Sequence, residues 1–379
     1  MDRRDFLWAL ALSPFALIAG CKTAHISRVI TAGTHLARGS VSGAAASAVP
    51  GSGIAGVDSL MRGQLRKMLD ALFEQWGDEK VPSRKEYVKY TDDYQTRAII
   101  DFESGRIRVE TVATDNPRQK LETAIVHTLL TPENPAKVDL LSDKQVSLGD
   151  KPFLFKLVLD QDEKPVRWEW RARRYANYLL RTAAHTDTYN NRKRHSVTFD
   201  MVKEHDVKQQ NRYQAHVLRS SRRFDVNPAL IYAIIEVESS FNPYAVSHVP
   251  AYGLMQIVPE TAGRDAYFLI HKRKATPTRE YLFVPANNIR MGAAYLHLLS
   301  RNYLKHIRNP EAKEFCVIAG YNTGSGNVLR AFAPDRDQAF ERINSMDRHQ
   351  VYTHLIRNLP YEETRNYLPK VVRARRKYA

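Results

Sequence analysis

The spacing of apolar residues changes character at about residue 205, and that change dictates the fold class. From there to Ala379 apolar positions recur almost wholly at helical intervals. The spacing predicts helices over Lys208–Phe224, Pro228–Ser239, Pro259 to about Phe268, Ile289–Tyr303, Glu311–Tyr321 and one beyond Glu363. Residues 58–204 instead mix two periods. Met61, Leu65, Met68, Leu69, Leu72, Phe73 and Trp76 share a helical face. Thr96–Phe102 and Arg106–Thr114 alternate around Glu103-Ser104-Gly105 as a hairpin does. Asn116-Pro117 reads as a cap and first-turn proline for a helix carrying Leu121, Ile125 and Leu129. Further strands are expected at Phe153–Leu159, Val166–Trp170 and Val197–Val202, with a helix over Arg171–Ala184. The 379 residues therefore divide into an α+β domain (58–204) and an all-α domain (205–379).

The first 21 residues read as an export segment. Arg3 and Arg4 precede an apolar run from Phe6 to Ile18, too short to span a bilayer as a mature helix. It ends in Leu17-Ile18-Ala19-Gly20-Cys21, which resembles a bacterial lipobox; a plain signal peptide is the alternative. Lipidation at Cys21 would anchor the chain in a membrane. Lys22 follows rather than Asp, which by the lipoprotein sorting rule implies the outer membrane, facing the periplasm. Arg3-Arg4-Asp5-Phe6-Leu7 also resembles a twin-arginine signal, and the general secretory route stays open beside it. Residues 22–57, rich in Ala, Gly and Ser, form a flexible tether. With Cys21 lipidated, Cys316 has no disulfide partner, and its apolar surroundings make it a core residue.

A formal net charge of +16 favours anionic surroundings. No nucleic-acid motif accompanies it, so no nucleic-acid partner is expected. Neither zinc-type Cys/His spacing nor a phosphate loop is present, and no metal or cofactor is expected.

The stretch from Asn227 to Pro243 holds the chemistry. Advancing about 100° per residue places Ile231, Ile234, Ile235 and Glu238 on one helical face, with Glu236 pointing away beside Tyr232. A carboxylate at the end of an apolar stripe is either solvated at the helix boundary or held in a poorly hydrated pocket. In the second case desolvation favours the neutral acid. Raising a Glu from about 4.3 to about 6 takes roughly 2 kcal/mol, and gives a general acid near neutral pH. Between Ser239 and Pro259 there is no Asp or Glu; Ser247 and Tyr252-Gly253-Leu254-Met255-Gln256-Ile257 stand there instead. Gly320-Tyr321-Asn322-Thr323-Gly324-Ser325-Gly326 comes after an apolar helix. Uncharged donors flanked by glycine suit sugar hydroxyls and acetamides, and tyrosines suit sugar rings.

Glu238-Ser239-Ser240-Phe241-Asn242-Pro243, Ser247 with Gly253-Leu254-Met255-Gln256, Gly320-Tyr321-Asn322 and Pro360-Tyr361-Glu362-Glu363-Thr364-Arg365-Asn366-Tyr367 stand in the order of four motifs. In them the sequence resembles the lytic murein transglycosylases with a goose-lysozyme-like catalytic domain. Gly320 stands where that family usually has Ala. Together with the lipobox and an α+β domain containing Tyr94-Gln95-Thr96-Arg97-Ala98, the pattern is similar to the family's membrane-bound members.

The resemblance implies cleavage of the β-1,4 bond between N-acetylmuramic acid and N-acetylglucosamine in peptidoglycan, without water and leaving 1,6-anhydro ends. It implies Glu238 as acid and then base. Ser247 and Gln256 would orient the substrate, with Gly253 and Met255 in the same binding segment, and Tyr321, Asn322 and Tyr367 would line the subsites. Ordinary glycosidases need two carboxylates, and no second one is obvious among these motifs, although Glu260, Asp265 or Asp335 could approach in the fold. A lysozyme-type hydrolase and a non-catalytic peptidoglycan-binding lipoprotein are the competing readings.

Overall fold

The computed structural model describes residues 68–379 apart from 79, 141 and 248–250. The export segment, Cys21 and the tether lie outside the described residues. The described chain, Met68–Ala379, is one compact unit with two hydrophobic cores.

A helix covering 68–76 (α1) leads to β1 (Glu86–Thr91), β2 (Thr96–Asp101) and β3 (Arg106–Thr111). Next come α2 (Pro117–Leu129), α3 (Glu169–Thr182), β4 (Ala184–Tyr189) and β5 (Arg192–Asp200). The five strands form one antiparallel sheet in the order β1-β2-β3-β5-β4. The expected hairpin is present, with Gly105 at φ 74° in its turn. Leu121, Ile125 and Leu129 bury the face of α2 against the sheet. Asn116 precedes that helix in a left-handed conformation, and its side chain makes no capping bond.

Two expected strands are absent from the described residues. Phe153–Leu159 winds through turns, with Phe155 N donating to Pro152 O and Leu157 N to Leu154 O (3.1 and 2.9 Å). Its apolar side chains are buried all the same: Phe153, Leu154, Leu157 and Val158 form part of the core. Val166–Trp170 holds one buried residue, Val166, before α3 begins at Glu169. Two strands were not expected from the sequence, β1 and β4. The second is a polar edge strand, Ala-His-Thr-Asp-Thr-Tyr, with no apolar face to betray it.

The rest is helical. It runs α4 (His205–Phe224), α5 (Pro228–Ser239), α6 (Arg264–His271), α7 (Arg279–Phe283) and α8 (Pro285–Leu298). It continues as α9 (Pro310–Thr323), α10 (Ser325–Arg330), α11 (Arg336–Asn344), α12 (Arg348–Asn358) and α13 (Glu362–Arg375). Single π-helical segments precede α6 (Pro259–Gly263) and extend α8 (Leu299–Tyr303). The six helices read from spacing are all present. The short α7 and α10 and the polar α11 and α12 are additions.

The two cores are stitched by the chain that leaves α5. Tyr244 belongs by sequence to the helical part, yet it is buried in the α+β core. Its ring meets Tyr87 at 5.1 Å and Phe153 at 5.5 Å edge-on, and its hydroxyl donates to Pro132 O. Removing the ring in Tyr244→Ala is expected to cost about 3–5 kcal/mol in denaturant unfolding. Tyr244→Phe, which loses only the hydroxyl contact, should cost about 1 kcal/mol. Equal losses in the two variants would mean that the ring does not join the cores.

Candidate active site

Helix α5 starts as its sequence demands. Asn227 accepts from Ala229 N at 2.8 Å, and Pro228 occupies the first turn. Beyond that start the helix is buried on nearly every side. Leu230, Tyr232 and Ala233 are covered as fully as the apolar stripe, and only Glu236 and Val237 keep partial exposure. The two glutamates therefore meet different surroundings. Glu236 points to the C-terminal segment, where Lys377 Nζ and Tyr378 Oη donate to it at 2.5 and 2.6 Å. Glu238 points inward and is 5 % exposed.

Three tyrosine- and arginine-bearing segments surround the Glu238 carboxyl. Burial pushes its pKa up to about 7; the Tyr367 hydroxyl and the Arg84 charge oppose that rise, and Glu363 adds to it. The phenols of Tyr321 and Tyr367 are held well above their ordinary value by burial and then by the Glu238 charge. Both stay neutral donors across the physiological range. Tyr367 Oη is buried and completes no well-formed hydrogen bond among the described residues. Arg84 Nη1 lies 3.6 Å from Glu238 Oε2 and 3.1 Å from Glu363 Oε1.

The four motifs of the helical part are tied into one assembly around this acid. Ser239 Oγ donates to Leu254 O (2.8 Å), fixing α5 to a tight hairpin whose Tyr252 and Ile257 pair backbone to backbone at 3.1 and 3.2 Å. Gly253 stands in that hairpin at φ 74°, where a Cβ would lie 2.8 Å from Leu282 O. Gln256 is at φ 47° and donates through Nε2 to Ala245 O and Gly253 O at 3.1 and 3.0 Å; its Oε1 has no partner among the described residues. Met255 is fully buried, its side chain packed against Gly292. It contributes its carbonyl, which accepts from Tyr321 Oη at 2.8 Å. Asn322 Oδ1 accepts from Thr364 Oγ1 at 2.6 Å, which joins α9 to α13 three residues before Tyr367. Ser247 closes its own loop, its hydroxyl accepting from Ala251 N at 3.3 Å.

Three carboxylates left open by the sequence are engaged elsewhere. Glu260 pairs with Arg264, Asp265 accepts from Tyr303 Oη at 2.9 Å, and Asp335 caps α11. The carboxylate nearest in charge to Glu238 is Glu363, which sits inside the fourth motif. Two further residues escaped the sequence reading. Asn288, fully buried, accepts from Met255 N at 2.7 Å and donates to Tyr252 O and Leu282 O at 2.7 and 2.9 Å. Asparagine in a helix gives no sign of such a role. Arg84 stands in Ser83-Arg84-Lys85-Glu86, ahead of a strand in the other half of the chain, and nothing local marks it. Among the described residues no group of three or more His, Cys, Asp or Glu side chains converges on a metal-sized site.

A buried acid with a raised pKa has a consequence for stability. The folded protein holds the Glu238 proton more tightly than the unfolded chain, whose value is near 4.5. The Glu238 contribution to stability is full below that pH and declines as pH rises towards about 7, because folding must then keep a desolvated anion. Glu238→Gln, which keeps the shape and carries no charge, should match the wild type near pH 4.5. At pH 8 it should be the more stable by roughly 1–3 kcal/mol. Calorimetric melting at the two pH values decides; a pH-independent difference would place Glu238 in water.

Both halves of the chain have counterparts among known proteins. The sequence profile of the membrane-bound lytic murein transglycosylase C N-terminal domain matches residues 56–212, and that of the transglycosylase SLT domain matches residues 217–344. Membrane-bound lytic murein transglycosylase C of Sodalis glossinidius is 44% identical over 326 residues, 85% of this chain and 90% of that protein. The protein of the same name from Klebsiella pneumoniae is 44% identical over 85% of this chain and 89% of its own length. Among solved structures, an inactive mutant of lytic transglycosylase Slt from Pseudomonas aeruginosa is 28% identical. It covers 46% of this chain and 25% of that one at a TM-score of 0.35. With an α+β half and a helical, lysozyme-like half, each matched by its own profile, the chain belongs to the membrane-bound lytic murein transglycosylase C family.

Proposed function

We propose that this lytic transglycosylase cleaves the β-1,4 bond between N-acetylmuramic acid and N-acetylglucosamine in peptidoglycan, with Glu238 as its acid and then its base. The observation that carries the reading is one glutamic acid, buried and pushed up to about 7, beside two neutral phenols. Protonated Glu238 gives its proton to the leaving glycosidic oxygen while the substrate's acetamide steadies the developing cation. The resulting carboxylate takes the proton of the muramic 6-hydroxyl, whose oxygen closes on the anomeric carbon. One bond breaks, one forms, the proton returns to Glu238, and no water enters. Gln256 and Ser247 orient the sugar and its acetamide, while Tyr321, Asn322 and Tyr367 line the subsites, with Gly253 and Met255 holding the binding hairpin. Residues 58–204 serve as an accessory domain and 205–379 as the catalytic one.

A lysozyme-type hydrolase draws support from Glu363. It shares a guanidinium nitrogen with Glu238, so the facing carboxylate oxygens are at most about 7 Å apart, which does not exceed the ~9.5 Å limit of hydrolytic pairs. Its side chain is 63% exposed and already bound to Arg84, which favours the single-acid route. Mass spectrometry of fragments from purified sacculi separates the two. Anhydro ends, lighter by one water, are expected; reducing muramic ends would establish the hydrolase. Glu238→Gln should lower the rate about 10²–10⁴-fold, the usual worth of a general acid–base group. An undiminished rate would remove Glu238 from the acid/base role, and a wild type that releases no soluble fragments would return the chain to the class of binding lipoproteins.

The membrane-bound naming of the relatives supports a lipid anchor at Cys21 and a place in the outer membrane, facing the periplasm. Metabolic labelling with a fatty-acid probe should mark the wild type and leave Cys21→Ala unmarked. Equal labelling of both would put the anchor elsewhere.

A further inference from the structure

We infer that Arg84, contributed by the α+β region, is a positioning residue of the acid/base site: its guanidinium bridges Glu238 to Glu363 and steadies the ionised form of Glu238 midway through the reaction. The inference rests on the proposed role of Glu238 and extends it to the half of the chain that carries no motif.

The geometry is specific. One nitrogen, Nη1, reaches both carboxylates, at 3.6 Å from Glu238 Oε2 and 3.1 Å from Glu363 Oε1. The arginine is placed from behind by its own backbone. Asn242 Nδ2 donates to Arg84 O at 3.2 Å, and Val246 N donates to Ser83 O at 3.5 Å. Asn242 lies four residues beyond Glu238, on the segment that carries Tyr244 into the α+β core. One short strap thus fixes the acid, the cation and the docking of the two regions.

The chemistry gives the cation a use. A lone carboxyl that serves twice must be neutral when it protonates the leaving oxygen and anionic when it deprotonates the internal hydroxyl. Burial helps the first state and opposes the second. The groups facing Glu238 are Tyr321 from α9, Glu363 and Tyr367 from α13, and Arg84 from the segment before β1. Arg84 is the cation among them, and it offsets both the burial and the repulsion from Glu363. Its pair with Glu363 alone, 41 and 63% exposed, would be worth little. Its contact with Glu238 reaches a side chain only 6% exposed, where a charge is poorly screened.

The test uses the full chain in detergent micelles. The Glu238 carboxyl is titrated directly by NMR with carboxyl-labelled glutamate, its resonance assigned by its loss in Glu238→Gln, beside kcat/KM against pH on soluble glycan fragments. Arg84→Gln should move the titration and the matching limb of the profile up by about one pH unit, a tenfold change in the ionised fraction. Arg84→Lys, which keeps the charge, should recover most of it. Glu363→Gln, which removes the repulsion and frees the guanidinium for Glu238, should move both the opposite way, and this arm reads the coupling even where an Arg84 variant does not fold. A carboxyl that titrates alike in wild type, Arg84→Gln and Glu363→Gln overturns the inference, as does a Lys variant shifted as far as Gln. Activity surviving in Glu238→Gln would instead defeat the acid/base reading, and the direct titration would still report whether Arg84 acts on that carboxyl.

Discussion

Helix α5 has almost no wet side, and the surrounding structure is built to accommodate that fact. A helix that is apolar all round belongs in an interior, and this one is packed between α4, α8 and α13. A carboxylate on it must find a partner at the helix end or forgo its charge. Glu236 finds Lys377 and Tyr378 at the surface. Glu238, two residues on and rotated to the other side, meets phenols and the edge of one guanidinium. The sequence places both glutamates on the same dozen residues, and packing alone separates their chemistry.

The end of α5 is also where the backbone is least ordinary. Ser240 and Phe241 both adopt left-handed angles, at φ 48° and 62°. For a bulky residue such as Phe241 that conformation is uncommon and is kept only where the surroundings enforce it. Here Phe241 is buried in a stack on Tyr213, its ring 6.4 Å away and nearly parallel. The double left-handed step turns the chain sharply, so that Asn242 faces Arg84 and Tyr244 enters the second core within six residues of the acid. Strain next to the buried carboxyl and the joining of two cores are one structural event.

Legibility in the sequence depended on whether the deciding interaction was local. The helical half was readable because period, caps and prolines all act within a turn or two, as at Asn227-Pro228. The orientation of Glu238 was readable for the same reason, and the burial of the neighbouring Tyr232 and Leu230 was not, since distant helices cover them. Phe153–Leu159 misled because apolar residues can be buried from turns as well as from strands. The polar strand Ala184–Tyr189 was invisible, because a sheet edge needs pairing and little hydrophobicity. In the site, the motif residues announced themselves, while Asn288 and Arg84 act across 33 and 158 residues of sequence through bonds to Met255 and Asn242. Met255 packs its side chain into the space that Gly292 leaves, and its carbonyl holds Tyr321.

A single acid that must also be a base works best when neither form is much favoured at the working pH. Desolvation by itself would raise the Glu238 pKa further, which on the proposed mechanism favours the first step at the expense of the second. The surrounding groups act against that rise without restoring water. Tyr367 sets a neutral hydroxyl beside the carboxyl, its proton held far above physiological pH, so it opposes the rise without competing as a charge. Arg84 adds a cation at a distance longer than a close ion pair, 3.6 Å, and divides its attraction with Glu363. A tighter, unshared pair would lower the carboxyl's pKa further and, on the proposed mechanism, work against the first step. The looseness of that contact is therefore the feature that lets burial and charge offset each other, and it depends on a residue supplied by the half of the chain that has no catalytic motif of its own.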